Sequence, residues 1–144
     1  MQVEVAVDIA ATPQRVWEVI RDVEHWPEWT PSITSIQRLD RKAASLGPDT
    51  KARIRQPGLP TMVWKVTKFE PCRGFTWETR NWGAVTIGEH WITPSGRDSS
   101  RVELKVRIDG LLEPLFRPWL VRMTRKNMEM EAQGLKRRCE LAQA

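Results

Sequence analysis

The chain has 144 residues, 40 % of them hydrophobic and 28 % charged, with a formal net charge of +5. That is the composition of a single globular domain, 1–144, able to bury ~70 % of its unfolded surface, and it excludes collagenous, disordered and membrane-spanning classes. The 23 Lys and Arg are interleaved with 18 Asp and Glu, as in Arg125, Lys126, Glu129 and Glu131, so the charge reads as a solvated surface and nucleic acid is not an expected partner.

Residues 2–9 alternate apolar and polar and predict a strand that buries Val3, Val5, Val7 and Ile9. No secretory apolar core begins this way, so the expectation is a cytoplasmic protein without membrane insertion. Thr12-Pro13 reads as an N-cap and first helical residue, since the Thr hydroxyl accepts an unpaired N–H and Pro lacks one. Val16, Trp17, Ile20 and Val23 continue at helical spacing, and the helix should stop before Trp26-Pro27, where a short helical turn or tight connection follows. Short strands are predicted at about 33–40, 50–56, 62–70, 73–79, 84–93 and 101–109, separated by Gly and Pro turns such as Gly47-Pro48 and Asn81-Trp82-Gly83. Links this short favour antiparallel hairpins. Trp119–Leu141 holds no Pro and one Gly, room for a helix of ~35 Å. The result is an α+β fold in which helices cover one face of a curved sheet, and the gap between such layers is a ready cavity.

Val16-Trp17, Asp22, Trp26-Pro-Glu-Trp29-Thr-Pro31, Gln56-Pro-Gly-Leu-Pro60 and Phe75-Thr-Trp77-Glu, in this order of elements, resemble the polyketide cyclase/dehydrase group of the START-like, Bet v 1-like superfamily. The resemblance runs over nearly the whole chain, including the last helix with Glu129, Glu131, Gly134 and Leu135. It implies a helix-grip fold, with a seven-stranded sheet wrapped around the C-terminal helix and a hydrophobic ligand cavity between them. Members include cyclases, lipid carriers and hormone receptors, so fold alone does not carry the activity.

Strand parity gives the faces turned toward that helix: Ile54 and Gln56; Met62, Trp64 and Val66; Phe75, Trp77 and Thr79; Val85, Ile87, Glu89 and Trp91; Val102, Leu104, Val106 and Ile108. By the same count His90 points to the outer face. Glu89 is then a carboxylate in an apolar row, either a functional acid/base, or flipped outward by a bulge near Gly88, or paired with a rim Arg. On the last helix Phe116, Trp119, Met123, Asn127, Met130 and Gly134 form one stripe, in which Asn127 can hydrogen-bond a ligand or merely a strand or water. Trp26 and Trp29 either anchor the connection over the core or wall the pocket. The expected ligand-contacting set is Trp29, Ile54, Trp64, Trp77, Ile87, Glu89, Trp91, Trp119, Met123, Asn127 and Met130.

Eight Trp and no Tyr supply large flat apolar walls and remove the phenol as a catalytic group. Two His, and the separated Cys72 and Cys139, make no metal-ligand or C-x-x-C pattern, and no P-loop, G-x-G-x-x-G or G-x-S-x-G is present. No metal or cofactor is expected. Three readings follow: a carrier for a hydrophobic or aromatic small molecule; a polyketide-type cyclase or dehydratase with Glu89 as base and Asn127 as orienting donor; and a module acting on protein or ribosomal RNA through Arg117, Arg122, Arg125 and Lys126. A homodimer stays open.

Overall fold

The computed structural model describes residues 1–40 and 45–141. β1 (Gln2–Ile9) buries Val3, Val7 and Ile9 while Val5 is only half-buried. The chain then enters α1 (Pro13–Arg21), where Thr12 Oγ1 accepts the Arg15 N–H at 3.2 Å and Pro13 takes the first helical place. A 3₁₀ turn over Val23–Glu28 follows, and in it Trp26 is fully buried with its Nε1–H donating to the Ile20 carbonyl at 2.9 Å. This indole is a core post on which α1 and the turn are fixed.

Six further strands follow: β2 (Ser35–Arg38), β3 (Lys51–Arg55), β4 (Met62–Glu70), β5 (Gly74–Asn81), β6 (Ala84–Gly96) and β7 (Ser99–Gly110). The seven form one antiparallel sheet in the order β1-β7-β6-β5-β4-β3-β2. Only β1 pairs with a strand distant in sequence. α2 (Glu113–Leu141) packs on β1, β7 and α1, completing a helix-grip fold. No helix of the described residues is long and apolar enough to cross a membrane. Cys72 is exposed, Cys139 is buried and burial pushes its thiol up to about 11; both are free.

α2 begins six residues before the predicted Trp119 and contains Pro118. The first turn tolerates Pro114 because its N–H groups lack helical partners anyway, and Pro118 costs one further bond. Leu112 O accepts from the Leu115 and Phe116 N–H groups at 3.1 and 3.3 Å, and the Arg117 guanidinium donates to both Glu113 carboxylate oxygens at 2.7 and 2.8 Å. The Arg117 guanidinium, with the Met1 ammonium 3.2 Å from Oε1, holds the Glu113 carboxyl at about 2, below its ordinary 4.5, although burial opposes the shift. A carboxyl depressed on folding stabilises fully above its unfolded value and loses that contribution as the pH falls through its folded one. Thermal melts of wild type and Glu113→Gln should therefore differ above pH 4.5 and converge as the pH falls toward about 2. A constant gap across that range would show that the charge on Glu113, shared between Arg117 and the Met1 ammonium, contributes nothing.

Further along α2, Gly134 is buried, and a Cβ there would run into the carbonyl oxygen of Trp29. Helix backbone thus lies directly on the connection after the 3₁₀ turn, a contact that only glycine allows.

The faces of β4, β5 and β7 follow the predicted parity; that of β6 is reversed. Phe75, Trp77 and Thr79 stand opposite His90, Gly88 and Thr86, and Leu104 and Val106 stand opposite the same His90 and Gly88. Residues directly opposed across a ladder share a face. The inner residues of β6 are therefore Ala84, Thr86, Gly88, His90 and Ile92, and Val85, Ile87, Glu89 and Trp91 lie on the outer face. The cause is the hairpin: Asn81 pairs with Ala84 around the two residues Trp82 and Gly83, which moves the inner set from odd to even numbers.

Both turn residues have positive φ, 54° at Trp82 and 74° at Gly83, as a two-residue type I′ hairpin requires. Such turns favour Asn-Gly. A Trp in the left-handed region costs ~1–2 kcal/mol, and this one is 87 % exposed, so its ring returns little to the fold.

Candidate functional site

Between the inner sheet face and α2 lies a cavity of about 640 Å³, inside the range of small-molecule sites. Its sheet wall carries Ile54 from β3, Met62 and Trp64 from β4, Trp77 from β5 and Val106 and Ile108 from β7. Phe116, Trp119, Leu120, Met123 and Met128 face them from α2. The indoles of Trp64 and Trp77 lie 5.7 Å apart at 44°, and Trp77 extends over Gly88, where a Cβ would sit 3.1 Å from its Nε1. Gly88 thus gives Trp77 its place in the wall. The Trp64 Nε1–H is buried with no hydrogen-bond partner among the described residues.

Few polar groups reach this space. Gln56 is held by its Nε2–H donating to the Ser32 carbonyl at 3.4 Å, whereas Asn127 and Thr124 have no side-chain partner among the described residues. His90 is buried, 6 % exposed, stacked on Phe75 at 4.5 Å and in T-shaped contact with Trp26 and Trp77. Its Nε2 lies 3.3 Å from Glu131 Oε1 and its Nδ1 3.4 Å from the Phe75 carbonyl oxygen. Both ring nitrogens therefore face acceptors. A neutral imidazole has one N–H, so both contacts become hydrogen bonds only when ring and carboxyl together hold two protons, as imidazolium with carboxylate or as imidazole with carboxylic acid. This pair puts hydrogen-bonding groups on the cavity wall, which reach a ligand oxygen when one of them exchanges its present partner for it.

Of the residues expected to contact a ligand, Ile54, Trp64, Trp77, Trp119, Met123 and Asn127 line the cavity. Trp29 does not: it is packed under Gly134 and against Trp26, with ring centroids 5.4 Å apart. Ile87 and Trp91 lie on the outer face for the hairpin reason given above. Glu89 borders the cavity at a strand position whose side chain leaves on the far side, where its Oε1 accepts the Trp91 Nε1–H at 2.9 Å and Lys68 covers that indole at 5.1 Å. It is not the inward acid that parity suggested. Met130 is off the wall because the stripe advances from Asn127 by four residues, to Glu131, rather than by three. His90, Thr124 and Glu131 were missed. The signal that finds His90 is the two-residue loop at Trp82-Gly83, which fixes its face by counting.

The sequence matches, over residues 1–140, the family described as polyketide cyclase / dehydrase and lipid transport. The chain belongs to that family. No curated protein matches it in sequence. Among solved structures, this polyketide cyclase/dehydrase family member is similar to TTHA0849 of Thermus thermophilus, with 19 % identity, full coverage of both chains and a TM-score of 0.80. It is similar to a START superfamily protein of Mycobacterium smegmatis, with 19 % identity, 98 % of each chain and a TM-score of 0.78. The Zhui aromatase/cyclase of Streptomyces sp. R1128 shares 17 % identity over 97 % of this chain and 93 % of its own, with a TM-score of 0.77. At these identities the likeness shows the helix-grip fold alone, and no particular chemistry.

Proposed function

We propose that this protein binds a hydrophobic or aromatic small molecule, a lipid or polycyclic compound, in the cavity between the sheet and α2. The observation that carries this reading is a chamber of about 640 Å³ walled largely by indoles, thioethers and aliphatic side chains, with polar groups such as Gln56, His90, Asn127 and Glu131 among them. Burying an aromatic ligand there returns roughly 25 cal/mol per Å² of apolar area removed from water. The polar groups fix orientation.

Trp64, Trp77 and Trp119 line the wall, so titration with a bound aromatic ligand should quench a large part of the tryptophan emission. Native mass spectrometry of the protein purified from its own host supplies the ligand. A protein that carries no compound and whose emission is unmoved by flavonoids, quinones and fatty acids does not bind in this chamber.

A second reading, a cyclase or dehydratase, is favoured by one observation, the His90–Glu131 contact of 3.3 Å inside the cavity. It replaces the version built on Glu89. General acid–base catalysis of a carbonyl compound needs a proton donor and acceptor within hydrogen-bond reach of the ligand, and this pair offers both. Turnover lost in His90→Gln with binding retained is the result that supports it.

A further inference from the structure

We propose that the mouth of the cavity is a docking face for an anionic phospholipid surface, on which Trp82, Leu111, Leu112, Leu115, Phe116 and Trp119 enter the interfacial layer. These six residues are 87 %, 96 %, 60 %, 74 %, 50 % and 56 % exposed. All except Leu115 also line the cavity, so they ring the opening rather than a remote patch. The sheet register brings them together. Ala84 pairs with both Asn81 and Gly110, and a Cβ on Gly110 would lie 3.2 Å from the Gly83 carbonyl oxygen, which sets the Trp82 turn beside the Gly110–Leu112 link into α2.

Two features say what covers this face. Trp82 occupies a left-handed turn position that favours Asn, with its ring in water, so strain and exposure are both kept without any gain in folding. Indoles beside leucines suit the boundary between lipid headgroups and acyl chains, where one edge stays wet. The charge decides the surface. From Leu111 to Lys126 the sole acid is Glu113, already held by Arg117 and the Met1 ammonium, while Arg122, Arg125 and Lys126 are exposed and the next acid, Glu129, follows one turn beyond. A second copy of the chain would bring the same cations against these, whereas a negatively charged leaflet attracts them. Docked this way, the cavity opens into the apolar layer, and a ligand passes between membrane and protein without crossing water.

The test is co-sedimentation of the full chain with phosphatidylcholine vesicles, with and without phosphatidylglycerol, together with the shift of tryptophan emission. Wild type should bind the phosphatidylglycerol vesicles, with a blue shift, and release them at high salt. Trp82→Asn, which suits the turn and so keeps or raises the melting temperature, should bind at least about tenfold more weakly. Leu111→Ser, at the most exposed site, should do the same. Arg122→Gln should lower binding about fivefold on charged vesicles and leave neutral ones unaffected. The proposal is overturned if wild type stays in the supernatant with both vesicles, or if Trp82→Asn and Leu111→Ser bind as tightly as wild type. It is overturned equally if sedimentation equilibrium shows a dimer that Trp82→Asn abolishes, since the face would then be a contact between copies. Quenching by soluble aromatic ligands reads the cavity separately, so failure of docking and failure of ligand binding are told apart.

Discussion

Gly134→Ala should lower the melting temperature by about 6 °C, the opposite of what its place in a helix suggests. Helix propensity alone favours alanine over glycine by ~1 kcal/mol. At Gly134, however, the added Cβ meets the Trp29 carbonyl oxygen, a main-chain atom that cannot swing aside as a side chain would. Relief requires α2 to lift from the connection or Trp29 to leave Trp26, and overpacking of this kind costs ~1–3 kcal/mol or more. The steric cost exceeds the propensity gain, and a net loss of ~2 kcal/mol corresponds to about 6 °C in a domain of this size. Differential scanning calorimetry of the two proteins checks the sign. An unchanged or raised melting temperature would mean that the close approach of α2 to Trp29 is not a constraint on the fold.

The architecture was legible because each element announces itself through more than one signal. β1 shows period two and is followed by Thr12-Pro13; the central strands are cut by Gly and Pro; α2 has a long Pro-free body. What periodicity could not settle was where a helix starts when two prolines lie in its first turns. Pro114 and Pro118 look like breakers, yet the chain bonds through Leu112 and Glu113 and continues.

The site was legible wherever neighbouring strands agreed, and misread on β6. There the choice of face followed hydrophobicity, which favours Val85, Ile87 and Trp91 over Thr86, Gly88 and His90. Sheet register overrides side-chain preference, because a one-residue change of phase exchanges every side chain between faces. The loop Trp82-Gly83 has two residues, so Asn81 must oppose Ala84, and Trp77 then opposes Gly88 and Phe75 opposes His90. That arithmetic was available in the sequence. The size pattern agrees with it too: a row of small residues gives Trp77 its room and leaves a void, whereas the larger outer row would have filled it. Met130 went wrong for a related reason. Both three- and four-residue steps keep a helical face, and only packing decides which one is taken.

His90→Phe should separate the polar from the apolar contacts of the cavity. A phenyl ring can keep the stacking on Phe75 and the edge contacts with Trp26 and Trp77 while removing both ring nitrogens, so the fold should change by no more than ~1 kcal/mol. Glu131 is then left without its imidazole, but its side chain is 17 % exposed and borders the cavity, where it can be hydrated. Binding should respond according to ligand type. Ligands that carry a carbonyl or hydroxyl lose a hydrogen bond to the pair worth ~0.5–1.5 kcal/mol, which is about twofold to tenfold in affinity. Purely hydrocarbon ligands of the same size lose nothing and gain apolar wall. Glu89→Gln is the control, since its side chain lies on the outer face with Trp91 and should leave both ligand classes unchanged. Isothermal titration with a paired set, such as an aromatic ketone and its parent hydrocarbon, reads the difference directly. Equal losses for both would indicate a collapsed cavity, and equal retention would remove His90 and Glu131 as the polar anchor. A loss confined to Glu89→Gln would return the site to the outer face of β6 and reverse the assignment of its register.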